Sequence, residues 1–135
     1  MGTLHAPDHT IGPKREGNSV VLRAVVMDAQ DPRVRIPGSS LLSATMTLYG
    51  EDDEHTIINS QDHADISGLV DEDGNLEIVL NADDMAILDD ANIYEYHRAL
   101  LEWSWSAGSP SAVYTASSEI RIIVRNVNAV PSGTP

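Results

Sequence analysis

The chain has 135 residues, the length of one ordinary domain, and 21 Asp and Glu against 8 Lys and Arg give a net charge of −13. A duplex phosphate backbone repels such a charge, so nucleic acid is excluded as a partner. The absence of cysteine excludes a disulfide framework, a thiolate nucleophile and cysteine-based metal sites. No apolar run approaches the roughly 18 residues of a membrane helix, and the first residues do not resemble a signal peptide, so we expect no membrane partner.

Both ends of the chain are rich in glycine and proline and show no sustained hydrophobic period. The first 17 residues contain two prolines and three glycines, and the last eight residues have a similar composition. Segments of this kind rarely build a core. We therefore expect an extended N-terminal arm at residues 1–17, one folded domain at 18–127 and a C-terminal tail at 128–135.

Between the two arms, apolar and polar residues alternate with the period of two that is typical of β-strands. The clearest example lies between Leu42 and Tyr49, where every second residue is apolar. Further strands are predicted at 19–28, 76–80, 98–105 and 120–124, with weaker candidates at 55–59 and 64–69. Trp103 and Trp105 share a strand face with Ala99, so we expect both indoles in the core.

One segment, residues 81–88, breaks the strand pattern. Asn81 is a favourable first residue for a helix, and the two carboxylates that follow lie where the helix dipole favours them. Met85 and Leu88 are three residues apart, so both can face inward. The sequence thus predicts an all-β chain, an antiparallel immunoglobulin-like β-sandwich with one short helix and extended terminal arms.

A run of oxygen-bearing side chains surrounds a glycine just before the predicted strand at 76–80. Four of them occupy alternate positions, a spacing that suits calcium: Asp71, Asp73, Asn75 and Glu77. The twelfth position of such a loop, which needs a bidentate glutamate, is Ala82, and Asp-Gly-Asn is also a favoured hairpin turn. We favour the plain turn with calcium as the alternative, and we predict no cofactor.

Histidines supply the remaining candidates for chemistry. His5 and His9 are four residues apart, but an intervening proline disfavours the helix that a metal site would need. His63 and His97 can each act as a general base where a carboxylate orients the ring. The sequence contains no matching nucleophile motif and no phosphate-binding glycine loop, and the acidic run 51–54 fits a solvated loop. We therefore expect a protein that is not an enzyme.

Three segments carry a family resemblance: residues 19–24 (Ser-Val-Val-Leu-Arg-Ala), 36–41 and 44–49. They resemble the opening of bacteriophage virion modules related to the N-terminal domain of baseplate upper proteins. The similarity to these modules continues along the chain. Residues 73–80 resemble the strand after a hairpin, residues 81–88 resemble the short helix, and residues 94–105 and 115–124 resemble the final strand pair. The resemblance covers residues 17–127, and it departs at Ala91 and Asn92, where a glycine is frequent, and in the long connection 28–36.

The resemblance implies a non-enzymatic structural protein of a phage particle, made in the host cytoplasm and located in the virion. A capsid decoration or cement subunit is the leading interpretation, and a tail or baseplate adaptor is the alternative. Its partners are then other virion proteins, and it is present in several copies. The arms are the expected partner-binding segments, through these residues: Leu4, His5, Ile11, Lys14, Arg15, Val127 and Val130.

A carbohydrate-binding module is the alternative from another functional class. It requires at least one aromatic side chain exposed in a groove. The candidates for such an exposed ring are Tyr94, Tyr96, Trp103, Trp105 and Tyr114. The exposure of these rings therefore bears directly on this alternative.

Overall fold

The computed structural model describes residues 6–28, 31, 33–106 and 112–127, which form seven β-strands in two sheets. The strands are β1 (His9–Arg15), β2 (Val20–Val25), β3 (Leu41–Gly50), β4 (Ala64–Asp65), β5 (Asn75–Leu80), β6 (Tyr94–Ser106) and β7 (Val113–Arg125). The helical content of this part of the chain is three short 3₁₀ turns, at Gly38–Ser40, Ser67–Leu69 and Asp83–Met85. None of these described helices is long and apolar enough to cross a membrane. The prediction of an all-β chain is confirmed.

The strand pairing differs from the expected one at β1. The larger sheet has the order β1-β7-β6-β3-β4, and β2 pairs with β5 in the smaller sheet. The β1–β7 pair is parallel, whereas the other strand pairs are antiparallel. The larger sheet is therefore mixed and not purely antiparallel. No hairpin turn joins β1 to β7, since the chain passes from β1 to the other sheet, so their relative direction is free of the hairpin constraint.

The two sheets bury their inner faces in one shared core. The smaller sheet contributes Leu22 and Leu80, and the larger sheet contributes Leu48 and the two tryptophans. Trp103 and Trp105 are only 5% and 3% exposed, which confirms their predicted place in the core. The Nε1–H of Trp103 donates to the carbonyl of Met27 at 3.0 Å and so ties β6 to the segment that follows β2.

Part of the expected N-terminal arm belongs to the sheet. Residues 9–15 form β1, and Ile11 packs against the core. The Glu16 N–H continues the pairing by donating to the carbonyl of Arg125 at 2.9 Å, and the Glu16 carboxylate accepts from the Val127 N–H at 3.1 Å. The pairing partner lies near the other end of the chain, so local composition does not reveal this strand.

The predicted helix at residues 81–88 is shorter than expected, with a single 3₁₀ turn at Asp83–Met85. Asn81 Oδ1 accepts from the N–H groups of Asp83 and Asp84, at 3.0 and 3.1 Å. Asp84 Oδ2 in return accepts from the Asn81 N–H at 2.9 Å. This reciprocal capping defines one turn. Met85 is buried as expected, but Leu88 is exposed, because the chain is extended again from residue 86.

The two weaker strand candidates are reduced to short pairings beside β3. Residues 55–59 contribute an isolated bridge between Ile57 and Tyr49. Residues 64–69 form β4, which has two residues, and the 3₁₀ turn Ser67–Leu69. Both segments form shorter pairings than a usual β-strand of five or six residues.

Candidate functional site

A cluster of charged side chains lies on the outer face of the larger sheet; it comprises Glu51, Arg98, Glu119 and Arg121. Arg98 Nη1 donates to Glu119 Oε2 at 2.6 Å, and Arg98 Nε donates to Glu51 Oε2 at 3.1 Å. Arg121 donates to both carboxylate oxygens of Glu51, at 2.6 and 2.8 Å. Arg98 is 1% exposed. Glu51 is therefore held by two arginines and is not part of a solvated loop, as the acidic run 51–54 suggested.

Strand register brings this charge cluster together. Arg98 of β6 is directly opposite Arg121 of β7, and Tyr49 of β3 is opposite Arg98 on the other side. Two neighbouring guanidinium groups repel each other, and a carboxylate between them offsets this repulsion. Glu51, directly after β3, supplies that carboxylate. Burial opposes the charged form of Glu51, but hydrogen bonds from Arg121 and Arg98 outweigh it, so its pKa lies below the ordinary value.

Tyr96 extends the same face toward the start of β6. The guanidinium carbon of Arg121 lies 5.1 Å from the centroid of the Tyr96 ring, a cation–π contact. Tyr94 lies two residues earlier on the same strand face. Tyr94 and Tyr96 are 49% and 50% exposed. The condition set by the carbohydrate-binding alternative is therefore met by these two tyrosines and not by the tryptophans.

Glu95 and His97 alternate with these tyrosines and face inward. Glu95 Oε1 accepts from the Leu88 N–H and from His97 Nε2, both at 2.8 Å. Glu95 Oε2 accepts from the Asp89 N–H at 2.8 Å and from Asn92 Nδ2 at 3.0 Å. Burial raises the pKa of Glu95, but these four hydrogen bonds outweigh it and lower the pKa below its ordinary value. Glu95 thus anchors the loop that precedes β6.

His97 is 1% exposed, and its second ring nitrogen is unsatisfied. In the described part of the chain, Nδ1 has no hydrogen-bond partner. Nε2 lies 2.8 Å from the Glu95 carboxylate, an acceptor, so this ring nitrogen donates the hydrogen bond. A carboxylate orients this histidine, as a general base requires, but no hydroxyl or thiol among the described residues bonds to the ring.

A cavity of about 410 Å³ opens at this end of β6, and we call it the tyrosine cavity. Its lining includes Tyr94, Tyr96 and His97, together with Asp52 and Asp89 from two adjacent loops. Aromatic rings and a small number of polar groups are the usual lining of a ligand site. The tyrosine cavity is therefore the candidate binding site of the described residues.

A second cavity, of about 810 Å³, runs between β2 and β7. Trp103 and Ala116 contribute apolar lining. Three arginines also line it, Arg23, Arg33 and Arg35, and each donates to a neighbouring acceptor: Glu77, Asp31 and Asn75 respectively. These three guanidinium groups therefore already have hydrogen-bond acceptors within the protein.

His63 lines a third cavity, of about 390 Å³, on the outer face of the larger sheet. Its Nδ1 lies 2.6 Å from Asp62 Oδ1, and its Nε2 lies 3.5 Å from Glu102 Oε1. Ser43 and Ser104 line the same cavity, but their hydroxyl oxygens bond to each other at 2.6 Å. Both nitrogens of His63 thus face carboxylates, and the serine hydroxyls do not form a nucleophile–base pair with it.

The calcium candidate is a hydrogen-bonded turn in the structure. Asp71 Oδ1 accepts from the N–H groups of Asp73 and Asn75, both at 2.9 Å. The backbone hydrogen bond from Asn75 is the main cause of the lowered pKa of Asp71. Glu77 lies on β5 and pairs with Arg23 at 3.2 Å. Among the residues that the structure describes, no cluster of three or more His, Asp or Glu side chains could hold a metal ion.

The structure describes four of the seven predicted partner-binding residues, and these lie on or beside the β1–β7 pair. Ile11 packs against the core, whereas Lys14 and Arg15 are exposed on the edge strand β1. Val127 is exposed at the other end of the described chain. The remaining three, Leu4, His5 and Val130, lie outside the described residues.

Sequence reasoning missed the charge cluster and the anchoring role of Glu95. One signal was present, since Glu95 and His97 share a strand face with Ala99, which belongs to the core. Two ionisable residues in line with an apolar stripe indicate a buried polar network. Comparison with known proteins gives no match to a family model, to a curated protein or to a solved structure.

Proposed function

We propose that the chain is an immunoglobulin-like β-sandwich that serves as a non-enzymatic structural protein of a phage particle. Strand order is the observation that carries the fold. The order β7-β6-β3-β4 corresponds to the G-F-C-C′ sheet of an immunoglobulin-like domain, and the β2-β5 pair corresponds to strands B and E of its second sheet. Two such sheets with one shared core are the architecture that the resemblance implies.

The position of Glu95 gives the fold further support. In immunoglobulin domains, a tyrosine near the start of strand F bonds to backbone a few residues upstream and holds the E–F corner. Glu95 lies at the start of β6, the equivalent strand, and accepts from the N–H groups of Leu88 and Asp89. In this proposal the Glu95 carboxylate makes the upstream backbone hydrogen bonds that the tyrosine hydroxyl makes at this corner.

The proposed virion role rests on the resemblance of residues 17–127 to phage modules. His63 and His97 are oriented by carboxylates, but neither is bonded to a nucleophile in the described chain. In this proposal the mechanism is interface burial. In this proposal the protein is a capsid decoration subunit that binds other virion proteins in several copies, and a tail or baseplate adaptor is the alternative position.

Intact phage particles, purified from a lysate in which the protein is produced, test this function. Mass spectrometry of the particles measures whether the chain is present, and immunogold electron microscopy locates it. Gold on the heads supports a decoration subunit, and gold at the tail or baseplate supports the adaptor. Absence of the chain from the particles in both measurements contradicts a virion role.

Two truncated chains test the ends as contact segments. Deletion of residues 1–7 or of residues 128–135 leaves all seven strands in place, so the circular dichroism spectrum is expected to be unchanged. The copy number per particle, measured by quantitative mass spectrometry, is expected to fall for at least one of them. Full occupancy of the particles by both truncated chains contradicts attachment through the ends.

A further inference from the structure

Two exposed arginines are neighbours on the outer face of the larger sheet. Arg15 of β1 is directly opposite Arg125 of β7. Val124 is buried in the core, so Arg125, the next residue along the strand, points outward. Neighbouring strands lie about 4.8 Å apart, which places two like charges in adjacent positions. Like charges that face each other across a strand pair destabilise a sheet.

The other arginines of the chain are compensated within the protein. All eight Lys and Arg residues and all 21 Asp and Glu residues lie in the part of the chain that the structure describes. The arginines that bond to a neighbouring side chain are Arg23, Arg33, Arg35, Arg98 and Arg121. In the described chain, no side-chain hydrogen bond or ion pair involves Arg15 or Arg125. A protein with a large excess of carboxylates thus leaves two adjacent cations uncompensated.

Aromatic and apolar side chains continue this face across β7 and β6. Tyr94 is directly opposite Arg125, and Tyr96 is directly opposite Ile123. Both tyrosines are about half exposed, and Ile123 is partly exposed. Arginine and tyrosine are the residue types that protein interfaces favour. We call these five residues the arginine–tyrosine surface: Arg15, Tyr94, Tyr96, Ile123 and Arg125.

The local charge of the arginine–tyrosine surface is opposite to that of the whole chain. A net charge of −13 repels a long polyanion such as nucleic acid, which must also pass over the acidic parts of the protein. Charges are screened beyond about 8 Å at physiological ionic strength. A single carboxylate between Arg15 and Arg125 therefore interacts mainly with these two guanidinium groups. The surface favours a short acidic segment over an extended polyanion.

We propose that the arginine–tyrosine surface binds a short acidic segment of a partner protein. One carboxylate of the segment bonds to Arg15 and Arg125, and an apolar side chain two residues away packs on Tyr94. Side chains two residues apart in an extended segment lie about 7 Å apart, which equals the one and a half strand spacings from the midpoint of the two arginines to Tyr94. This proposal does not depend on the location of the protein, so it stands or falls separately from the virion role.

Selection from a random heptapeptide library on beads tests the surface, with the full chain as the labelled probe. The enriched peptides are expected to contain Asp or Glu two residues from an apolar or aromatic residue. Enrichment of basic peptides, or of peptides that lack Asp and Glu, overturns the proposal. A selection that enriches no peptide also overturns it.

Matched variants locate the binding of the strongest selected peptide. Arg15→Gln and Arg125→Gln are each expected to lower its affinity at least about threefold in isothermal titration. Arg23→Gln makes the same charge change at an exposed position of the smaller sheet and is expected to leave the affinity unchanged. The melting temperatures of the Arg15 and Arg125 variants are expected to match that of the unaltered chain, because both side chains are exposed. Unchanged affinity in both of these variants contradicts the site.

The same variants distinguish two other occupants of the surface. Analytical ultracentrifugation of the full chain detects a second copy, and titration with oligothymidylate detects single-stranded DNA. Neither form of binding is expected. Self-association or oligothymidylate binding that Arg125→Gln abolishes overturns the proposal in favour of that occupant.

Discussion

Arg98 and Glu119 form an ion pair on the outer face of the larger sheet, with Arg98 Nη1 2.6 Å from Glu119 Oε2 and both side chains almost fully buried. Glu51 closes the cluster by bonding to Arg98 and to Arg121. A face that alternation alone would assign to solvent is thus a second buried region. Its charges compensate one another, so its stability depends on keeping every member.

Arg98→Ala is expected to destabilise the protein by about 3–5 kcal/mol, because it removes the buried cation that bonds to both Glu51 and Glu119. Arg23→Ala, which removes the exposed pair with Glu77, is the matched control and is expected to cost less than about 1 kcal/mol. Urea unfolding at neutral pH measures both changes. Equal losses for the two variants would show that the cluster is not buried.

Acid is expected to destabilise the fold through Glu51 and Glu95. The pKa of each lies below the ordinary glutamate value of 4.5, so the unfolded chain takes up protons first as the pH falls. Their contribution to stability is complete above about pH 4.5 and is lost as the pH passes through the lower, folded pKa. Urea midpoints measured between pH 7 and pH 3 are expected to fall in this window.

The Glu95→Gln variant isolates one of these groups. It lacks the titrating carboxyl, so its urea midpoint is expected to change less steeply between pH 4.5 and 3 than that of the unaltered chain. Glu54→Gln, in an exposed loop, is the matched control and is expected to keep the steeper dependence. Identical pH profiles for all three chains would contradict the role of Glu95.

Two neighbouring residues of β5, Val79 and Leu80, lie on opposite faces of the smaller sheet. Leu80 is fully buried and Val79 is 61% exposed. Leu80→Ala is expected to cost about 2–5 kcal/mol because it leaves a cavity between the sheets. Val79→Ala is expected to stay within about 0.5 kcal/mol of the original stability. A larger loss for Val79→Ala would mean that the register of β5 is reversed.

Removal of β1 is expected to lower the melting temperature, although β1 lies in the segment that looks like an arm. Deletion of residues 1–16 removes the pairing with β7 and the contact of Ile11 with the core, and it exposes the edge of β7. Deletion of residues 1–7 keeps β1 and is the matched control. Calorimetry compares the two chains, and equal melting temperatures would contradict the parallel pairing.

The turn at Asp71 is expected to be stable without calcium. Asp71→Ala removes two hydrogen bonds to the backbone of the turn and is expected to lower the free energy of unfolding. The melting temperature of the unaltered chain is expected to be the same in millimolar calcium and in chelator. A rise with calcium that disappears in the Asp71→Ala variant would restore the calcium interpretation.

Local periodicity by itself determined the all-β class, most strand positions and the burial of the tryptophans. Alternation places Trp103 and Trp105 on the apolar face of one strand, and burial of that face is the strongest driving force in the chain. The turn before β5 was also evident, because Asp-Gly-Asn has a local conformational preference. Each of these features depends on residues that are close in sequence.

Tertiary structure alone decided the features that join distant residues. The parallel pairing of β1 with β7, the meeting of Glu51 with Arg98 and Arg121, and the one-turn limit on the predicted helix depend on strand register and on packing between sheets. The tyrosine cavity likewise needs β6 and two loops in place. Local sequence patterns do not predict such contacts, because the contacts join residues that are far apart in the chain. Their stabilising free energy is gained only after long loops have closed.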